Sequence, residues 1–319
     1  MPRFIIHHVT KYIYKAPVRD SANQIVLFPI RDEFQDVLKQ DLVISGDPEV
    51  EIYKDYYGNE IGSFMNAEPH YELIIDSKVQ VETNTRELPV DLEANDKQWA
   101  YLQTIRYELP YIDFLNFDYN SSFQDVSAIS NLGAFKDITP LEAAKKLTEY
   151  LYSNFKYIKG ITDTETTFDE AWRLKAGVCQ DFAHILLVML RMASIPARYV
   201  SGYICPNKKG MRGEGATHAW VEAFIPSLGW IGLDPTNNLI VNDLHVRLAV
   251  GRNFSDCSPV RGTYKGISDH TLEVGVSVGY EDGRTSEDTS TVLTPQPAKN
   301  AGQQNSYQRY LEMQQQQQQ

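Results

Sequence analysis

Gly177-Val-Cys-Gln-Asp-Phe-Ala-His184 places a thiol where a glycine turn runs into an apolar stretch. Phe182, Ile185, Leu186, Met189, Leu190 and Ala193 recur at helical spacing, and Pro196 ends the run. The segment therefore predicts a buried helix that opens at Cys179. Downstream, His218 stands in Thr217-His-Ala-Trp-Val-Glu222 and Asp234 in Gly229-Trp-Ile-Gly-Leu-Asp-Pro-Thr236, both in runs that read as strands. A thiol at a helix start, followed by a histidine and an aspartate on strands, is the raw material of a cysteine nucleophile triad.

The chemistry needs each residue type. An ordinary thiol is only a few per cent thiolate at neutral pH, and a helix N-terminus and a partner imidazolium both favour the charged form. His218 would take the thiol proton and return it to a leaving amine. Asp234 would accept from the far ring nitrogen and fix the tautomer. The Cys179 backbone N–H is an oxyanion donor at the helix start; no motif marks a second donor. The hairpin supplies a geometric requirement. Side chains alternate faces along a strand, so His218 and Asp234 share a face only if their loop has an odd number of residues or one strand bulges. Gln180, Trp172 and Trp220 are the expected site-lining residues.

Blander readings stand beside this one. A cysteine at the start of an apolar helix is often a small core residue, and an Asp-Pro is often a turn. Cys179, His184, Cys205 and His218 could be drawn as zinc ligands, but they lack a CxxC or HxxxH pairing. His184 falls on the polar side of its helix, as a structural residue would. Trp220 alternates onto the face of His218, where it would either shield the ring or simply pack. Lys208, Lys209 and Arg212 read as a solvated glycine loop, with an acidic substrate as the alternative. From the residues by themselves, core cysteine and nucleophile both stay open.

The 319 residues, 42% hydrophobic and 23% charged, have room for a large core. A net charge of -12 gives no electrostatic footprint for nucleic acid. No run of about 18 apolar residues points to a membrane span. Three sparse cysteines argue against a disulfide framework and for a reducing compartment, so a cytoplasmic location is expected. Residues 1–85 carry short apolar runs (Ile25-Val-Leu-Phe28, Leu42-Val-Ile44, Tyr71-Glu-Leu-Ile-Ile75, Val79-Gln-Val81) between turn signals, the pattern of an N-terminal β-sandwich-like domain. Residues 86–138 read as a helical and loop connector, with Trp99, Leu102 and Ile105 on one helix. Residues 139–250 read as the core that carries Cys179, His218 and Asp234, opened by two capping boxes, Thr139-Pro-Leu-Glu142 and Thr167-Phe-Asp-Glu170. Residues 251–283 are expected as a β segment packing on the core, with Leu272, Val274, Val276 and Val278 on one face. Residues 284–319, which end in glutamines, are expected to be disordered. Helices followed by a run of strands make the class α+β.

At the residues quoted, the sequence resembles the bacterial transglutaminase-like superfamily. Gly177–His184, Thr217–Glu222 and Gly229-Trp-Ile-Gly-Leu-Asp-Pro-Thr-Asn237 look like its three core motifs. His8-Val-Thr-Lys-Tyr-Ile-Tyr14, Asp55-Tyr-Tyr-Gly-Asn59 and Pro69-His70 resemble the β-region that precedes the core in one bacterial subgroup. His245, Val250-Gly-Arg-Asn-Phe-Ser-Asp256 and Pro259-Val-Arg-Gly262 resemble the segment that follows. Cys257 stands where an aliphatic residue is usual and Asn253 where aspartate is usual. The resemblance implies a papain-like cysteine-protease fold, a Cys179–His218–Asp234 triad, and acyl transfer from an amide or peptide through a thioester, with no cofactor and no metal. Water as acceptor makes a peptidase or amidase, the expectation here; an amine makes a protein-glutamine transglutaminase. A catalytically silent interaction module on the same fold is the rival from another class.

Overall fold

The computed structural model describes residues 1–281 except 86, 88, 92, 118–122, 131, 132, 134, 163–165, 206–210, 214 and 215, together with 294 and 295. Most of the expected disordered tail, and Lys208 and Lys209, lie outside the described residues. The chain divides into two units, Asn84–Cys257 and a second formed by Pro2–Thr83 with the segment from Ser258 onward.

The N-terminal unit is built on one long strand. β1 (Arg3–Ile25) is followed by β2 (Gln35–Ile44), β3 (Glu51–Lys54), β4 (Glu60–Asn66) and β5 (His70–Thr83). Along β1, Phe4, Ile6, His8 and Thr10 are buried while Ile5 is exposed, the period of a strand with one buried face. The first half of β1 pairs with β5, and the register shifts between Ile13 and Val18. Pro17 lies inside that irregularity, where it removes no ladder hydrogen bond. Beyond it, the same strand pairs with β4, so one strand serves two sheets. Tyr71–Ile75 and Val79–Val81 form one strand rather than two short ones. Ser77 between them is buried, and a small polar residue does not interrupt the ladder.

The other unit supplies the helices: α1 (Asn95–Ile105), α2 (Phe123–Ser130), α3 (Pro140–Asn154), α4 (Phe168–Leu174) and α5 (Cys179–Met192). Trp99, Leu102 and Ile105 are buried on α1 as their spacing predicts; α2 was not foreseen, and the connector belongs to this unit. Thr139 caps α3 by accepting from the Glu142 N–H. Thr167 and Glu170 form the full reciprocal box at α4. The strands are β6 (Lys156–Tyr157), β7 (Ala176–Gly177), β8 (Ala197–Ile204), β9 (Thr217–Ile225), β10 (Gly229–Asp234), β11 (Leu239–Ile240) and β12 (His245–Gly251). β6 and β7 pair in parallel; the others form an antiparallel sheet in the order β11-β10-β9-β8-β12. Helix α5 is buried along Phe182, Ala183, Ile185, Leu186, Leu187, Met189 and Leu190. It packs on β8 and β9 and against α2, α3 and α4. Each large side chain buried there contributes about 1.5–3 kcal/mol.

β13 (Val260–Lys265) and β14 (His270–Tyr280) pair with β1, on the two halves of that strand. Alternation at Leu272–Val278 predicts a strand with one buried face but does not say which open edge it completes.

Candidate active site

Helix α5 begins at Cys179, with Val178 extended before it and the Phe182 N–H donating to the Val178 carbonyl at 3.1 Å. Val178 has no side-chain acceptor. The end is capped instead by Asp181, whose Oδ2 accepts from the Val178 N–H at 2.7 Å and the Thr162 hydroxyl at 2.6 Å. Gly177 is required for this contact rather than for a turn: a Cβ there would fall on the Asp181 carboxylate, 2.7 Å from its Cγ. The left-handed turn lies two residues earlier, at Lys175 with φ 49°. It ends α4 and turns the chain into β7.

His218 lies on β9 and Asp234 at the end of β10. Ile225 pairs with Gly229, so the loop Pro226–Leu228 has three residues. Ser227 and Gly229 adopt positive φ, 65° and 78°, to close it. This odd loop puts His218 and Asp234 on one face as diagonal neighbours. His218 Nε2 donates to Asp234 Oδ2 at 2.9 Å, with both side chains inaccessible to solvent. Nε2 being engaged, Nδ1 is the remaining ring nitrogen, and the Cys179 thiol is beside the ring. Nδ1 is buried without a hydrogen-bond partner among the described residues. Burial disfavours the imidazolium, but the charge and hydrogen bond of Asp234 outweigh it, the Cys179 thiol adds to the effect, and the ring is pushed up to about 10. Burial likewise opposes ionisation of Asp234, yet His218, and after it His245, hold its carboxyl well below the usual range.

Several residues complete the site without having been foreseen. Asp234 Oδ1 accepts from the Thr236 and Asn237 N–H groups at 2.9 and 3.2 Å, and Oδ2 also accepts from Asn237 Nδ2 at 2.8 Å and His245 Nε2 at 3.2 Å. Asn237 reaches back to the loop before β9, accepting from the Arg212 N–H at 2.8 Å and donating to the Arg212 carbonyl at 3.2 Å. Gly213, with φ 81°, therefore lies over the imidazole: a Cβ there would stand 3.1 Å from His218 Nδ1 and 3.9 Å from the Tyr157 hydroxyl. Tyr157 pairs with Gly177 across β6 and β7. Burial, then the neighbouring Cys179 and Asp234, raise its phenol so that it keeps its proton.

The remaining candidates separate clearly. Trp220 is fully buried, its ring 6.2 Å from that of His218 and edge-on to His245 at 5.3 Å. Gly202, directly across from His218, has no room for a side chain, since a Cβ there would fall on the Val246 carbonyl oxygen and stand 2.6 Å from the Trp220 ring. Gln180 is half-buried in the first turn of α5. Trp172 is a packing residue: its ring meets Phe155, Phe168 and the Lys175 ammonium. His184 Nε2 accepts from the Phe254 N–H at 3.2 Å, and burial with Arg191 lowers the ring to about 4. Arg212 lays its guanidinium over Tyr152 and donates to the Thr236 carbonyl. Cys205 and Cys257 are fully buried and Cys179 is half-buried. Burial pushes the Cys205 thiol well above its ordinary value. The side chains drawn as zinc ligands are not gathered. Among the described residues, ligand-type atoms of His218, Asp234 and His245 come within 4.8 Å of one another. There both rings point Nε2 at the carboxylate, a hydrogen-bond network rather than a ligand set.

Residues 134–235 match the family model of the transglutaminase-like superfamily, and residues 4–82 that of the bacterial transglutaminase-like N-terminal region. Over 282 residues the chain is 32% identical to an uncharacterized protein of Mycobacterium leprae (strain TN), covering 87% of this chain and 99% of that protein. The chain belongs to the transglutaminase-like superfamily. This superfamily member resembles, in structure, a candidate cysteine protease from Cytophaga hutchinsonii, with a TM-score of 0.67 and 23% identity over 93% of this chain and 98% of that one. The likeness is one of fold, and it agrees with the expected papain-like α+β core preceded by a sheet-rich region. A shorter stretch of 80 residues is 35% identical to a protein-glutamine gamma-glutamyltransferase of Pseudomonas aeruginosa (strain PAO1), covering 24% of this chain and 12% of that protein. Among the described residues, no helix is long and apolar enough to cross a membrane.

Proposed function

We propose that this transglutaminase-like protein is a cysteine-dependent acyl-transfer enzyme acting on amide or peptide bonds, with Cys179 as nucleophile, His218 as base and acid, and Asp234 as orienting carboxylate. The observation that carries the reading is the His218 Nε2–Asp234 Oδ2 bond, which reserves Nδ1 for a thiol at a helix start. His218 Nδ1 takes the thiol proton. The thiolate attacks the carbonyl carbon, and a C–S bond forms as the carbonyl π electrons move to oxygen. The Cys179 N–H and the Tyr157 hydroxyl are the donors for that oxyanion. On collapse the C–N bond breaks and Nδ1–H protonates the leaving amine or ammonia, which leaves a thioester. Water then attacks with its proton passing to Nδ1, the C–S bond breaks, and the acid departs.

Hydrolysis is the favoured outcome because Cys179 is half-buried rather than sealed, so water can reach a thioester formed on it. Transfer to an amine is the second reading, favoured by the 80-residue similarity to a gamma-glutamyltransferase. Location in the cytoplasm is part of the proposal; buried free thiols at Cys205 and Cys257 are compatible with it. The test is iodoacetamide labelling of the full chain across pH, with a peptide-amide library assayed with and without an amine acceptor. Cys179 is expected to react faster than a free cysteine at pH 6, and His218→Ala to remove that advantage. Acid product without amine supports hydrolysis; product only with amine supports transfer. Ordinary thiol reactivity at Cys179, with no turnover, would overturn both and favour an interaction module.

A further inference from the structure

Asp234 carries more donors than a carboxylate accommodates. An ionised carboxylate offers about four lone-pair positions on its two oxygens. Five N–H groups converge here: two backbone donors on Oδ1, and His218 Nε2, Asn237 Nδ2 and His245 Nε2 on Oδ2. The three on Oδ2 compete for one oxygen, and the His245 bond, at 3.2 Å, is the longest of them. His245 is held there deliberately by its surroundings. It opens β12, its side chain is inaccessible to solvent, and the Trp220 ring meets it edge-on. Its Nδ1 faces Asn242, whose N–H lies 3.5 Å away and whose Oδ1 lies 3.3 Å away. Accepting from that N–H leaves the ring proton on Nε2, pointed at Asp234.

We propose that His245 is a positioning residue for the triad: by occupying Oδ2 of Asp234 it limits how tightly that oxygen holds His218, and so keeps the imidazole able to give its proton to a leaving amine. An imidazolium bound too firmly to its carboxylate is a strong base but a poor acid, and acyl transfer needs both in succession. The inference rests on the acyl-transfer reading above. Among the described residues, the charged and titratable groups near His218 include Cys179 on α5, Tyr157 on β6, Asp234 on β10, His245 on β12 and Arg212 in the loop before β9. Glu222 on the same strand is matched by Arg198 and Arg247. Asp243 lies two residues before His245.

The experiment is nitrogen NMR titration of the full chain labelled at its histidines, with the His218 signal assigned from His218→Ala. Three variants are compared with the parent. His245→Phe removes the donor. His245→Asn shortens it out of reach of Oδ2. His245→Gln keeps an amide N–H near the position of Nε2. Removing the competitor is expected to raise the His218 pKa by about half to one unit in the Phe and Asn variants, while Gln stays near the parent. Peptide-amide turnover should fall roughly three- to tenfold in the Phe and Asn variants while Cys179 alkylation changes little. If His245→Phe does not fold, the Asn and Gln pair decides. An unchanged or lowered His218 pKa in both His245→Asn and any folded His245→Phe overturns the proposal. The titration needs no activity, so absence of turnover in the parent refutes the acyl-transfer reading separately.

Discussion

Gly177→Ala tests how Cys179, the proposed nucleophile, is held. The added methyl would collide with the Asp181 carboxylate, whose Cβ and Cγ lie 2.7 Å from the position it takes. Asp181 is 5% exposed, so it is not free to swing into solvent without disturbing its surroundings. If it rotates away, the Val178 N–H and the Thr162 hydroxyl lose their acceptor at the start of α5. A hydrogen bond to a charged group contributes about 1.5–3 kcal/mol, and loss of a helix cap costs about 1 kcal/mol. The variant should therefore lose about 2–4 kcal/mol. In a unit of this size that corresponds to roughly 5–15 °C in Tm. The assay is thermal and urea denaturation of the full chain, followed by Cys179 alkylation below the transition, where a displaced helix end should slow the reaction. Asp181→Ala leaves space for the methyl, so the double variant should cost less than the sum of the two singles by about 1 kcal/mol or more. A Tm within about 2 °C of the parent, or full additivity in the cycle, would refute the argument that Gly177 and Asp181 fit one another to fix Cys179.

Tyr157→Phe should lower peptide-amide turnover by about 100-fold, as for loss of one oxyanion donor, with alkylation of Cys179 nearly unchanged; equal turnover removes the phenol from the mechanism. Glu222→Gln should destabilise by about 3–5 kcal/mol in urea titrations, because Arg198 and Arg247 would face a buried neutral amide at 2.7–3.0 Å; a loss under about 1 kcal/mol refutes a net role for the ion cluster. Buried His8 and His184 are both lowered to about 4, His8 by desolvation and then His7, His184 by desolvation and then Arg191. Between about pH 6.5 and 4 the unfolded rings bind protons that the folded ones do not, so stability should fall as pH drops through that window, by up to about 3 kcal/mol for His8. His218 acts in the opposite sense: its contribution is present below about 6.5 and is lost as pH rises toward about 10. Denaturation midpoints measured across pH should be less acid-sensitive in His184→Leu; an identical profile refutes the assignment.

The His218–Asp234 pairing was legible because its geometry is periodic. Alternation along β9 and β10, with a three-residue loop, carries His218 to Asp234, and the spacing 218–234 contains that information. The caps at Thr139 and Thr167 are equally local. Tyr157 was not legible: it reaches the site through a two-residue parallel pairing with Gly177, and nothing in residues 155–158 announces that partner. Asn237 left a readable trace, three residues after Asp234 in an Asp-Pro-Thr-Asn turn, where side chain and backbone donors fold onto the preceding carboxylate. His245 arrives from β12 on the far side of β8, a tertiary fact. Between Trp172 and Cys179 the left-handed Lys175 ends α4, and the Trp172 ring packs on Phe155 and Phe168. Gly177 was read as a turn glycine, but its real constraint is the side chain four residues on.

The return of β13 and β14 to β1 bears on the order in which the protein can be made. As the chain leaves the ribosome, β1 can find β4 and β5 early. The partners for its other two stretches of edge emerge about two hundred residues later. At about 5–20 residues per second that is roughly 10–40 s of synthesis. Throughout it, a long strand waits half-paired while the whole helical unit is translated and folds in between. Such an edge is a template for other nascent chains. Expression of a chain cut after Cys257 should therefore yield aggregate, whereas the missing segment supplied in trans as a peptide of residues 258–281 should restore solubility.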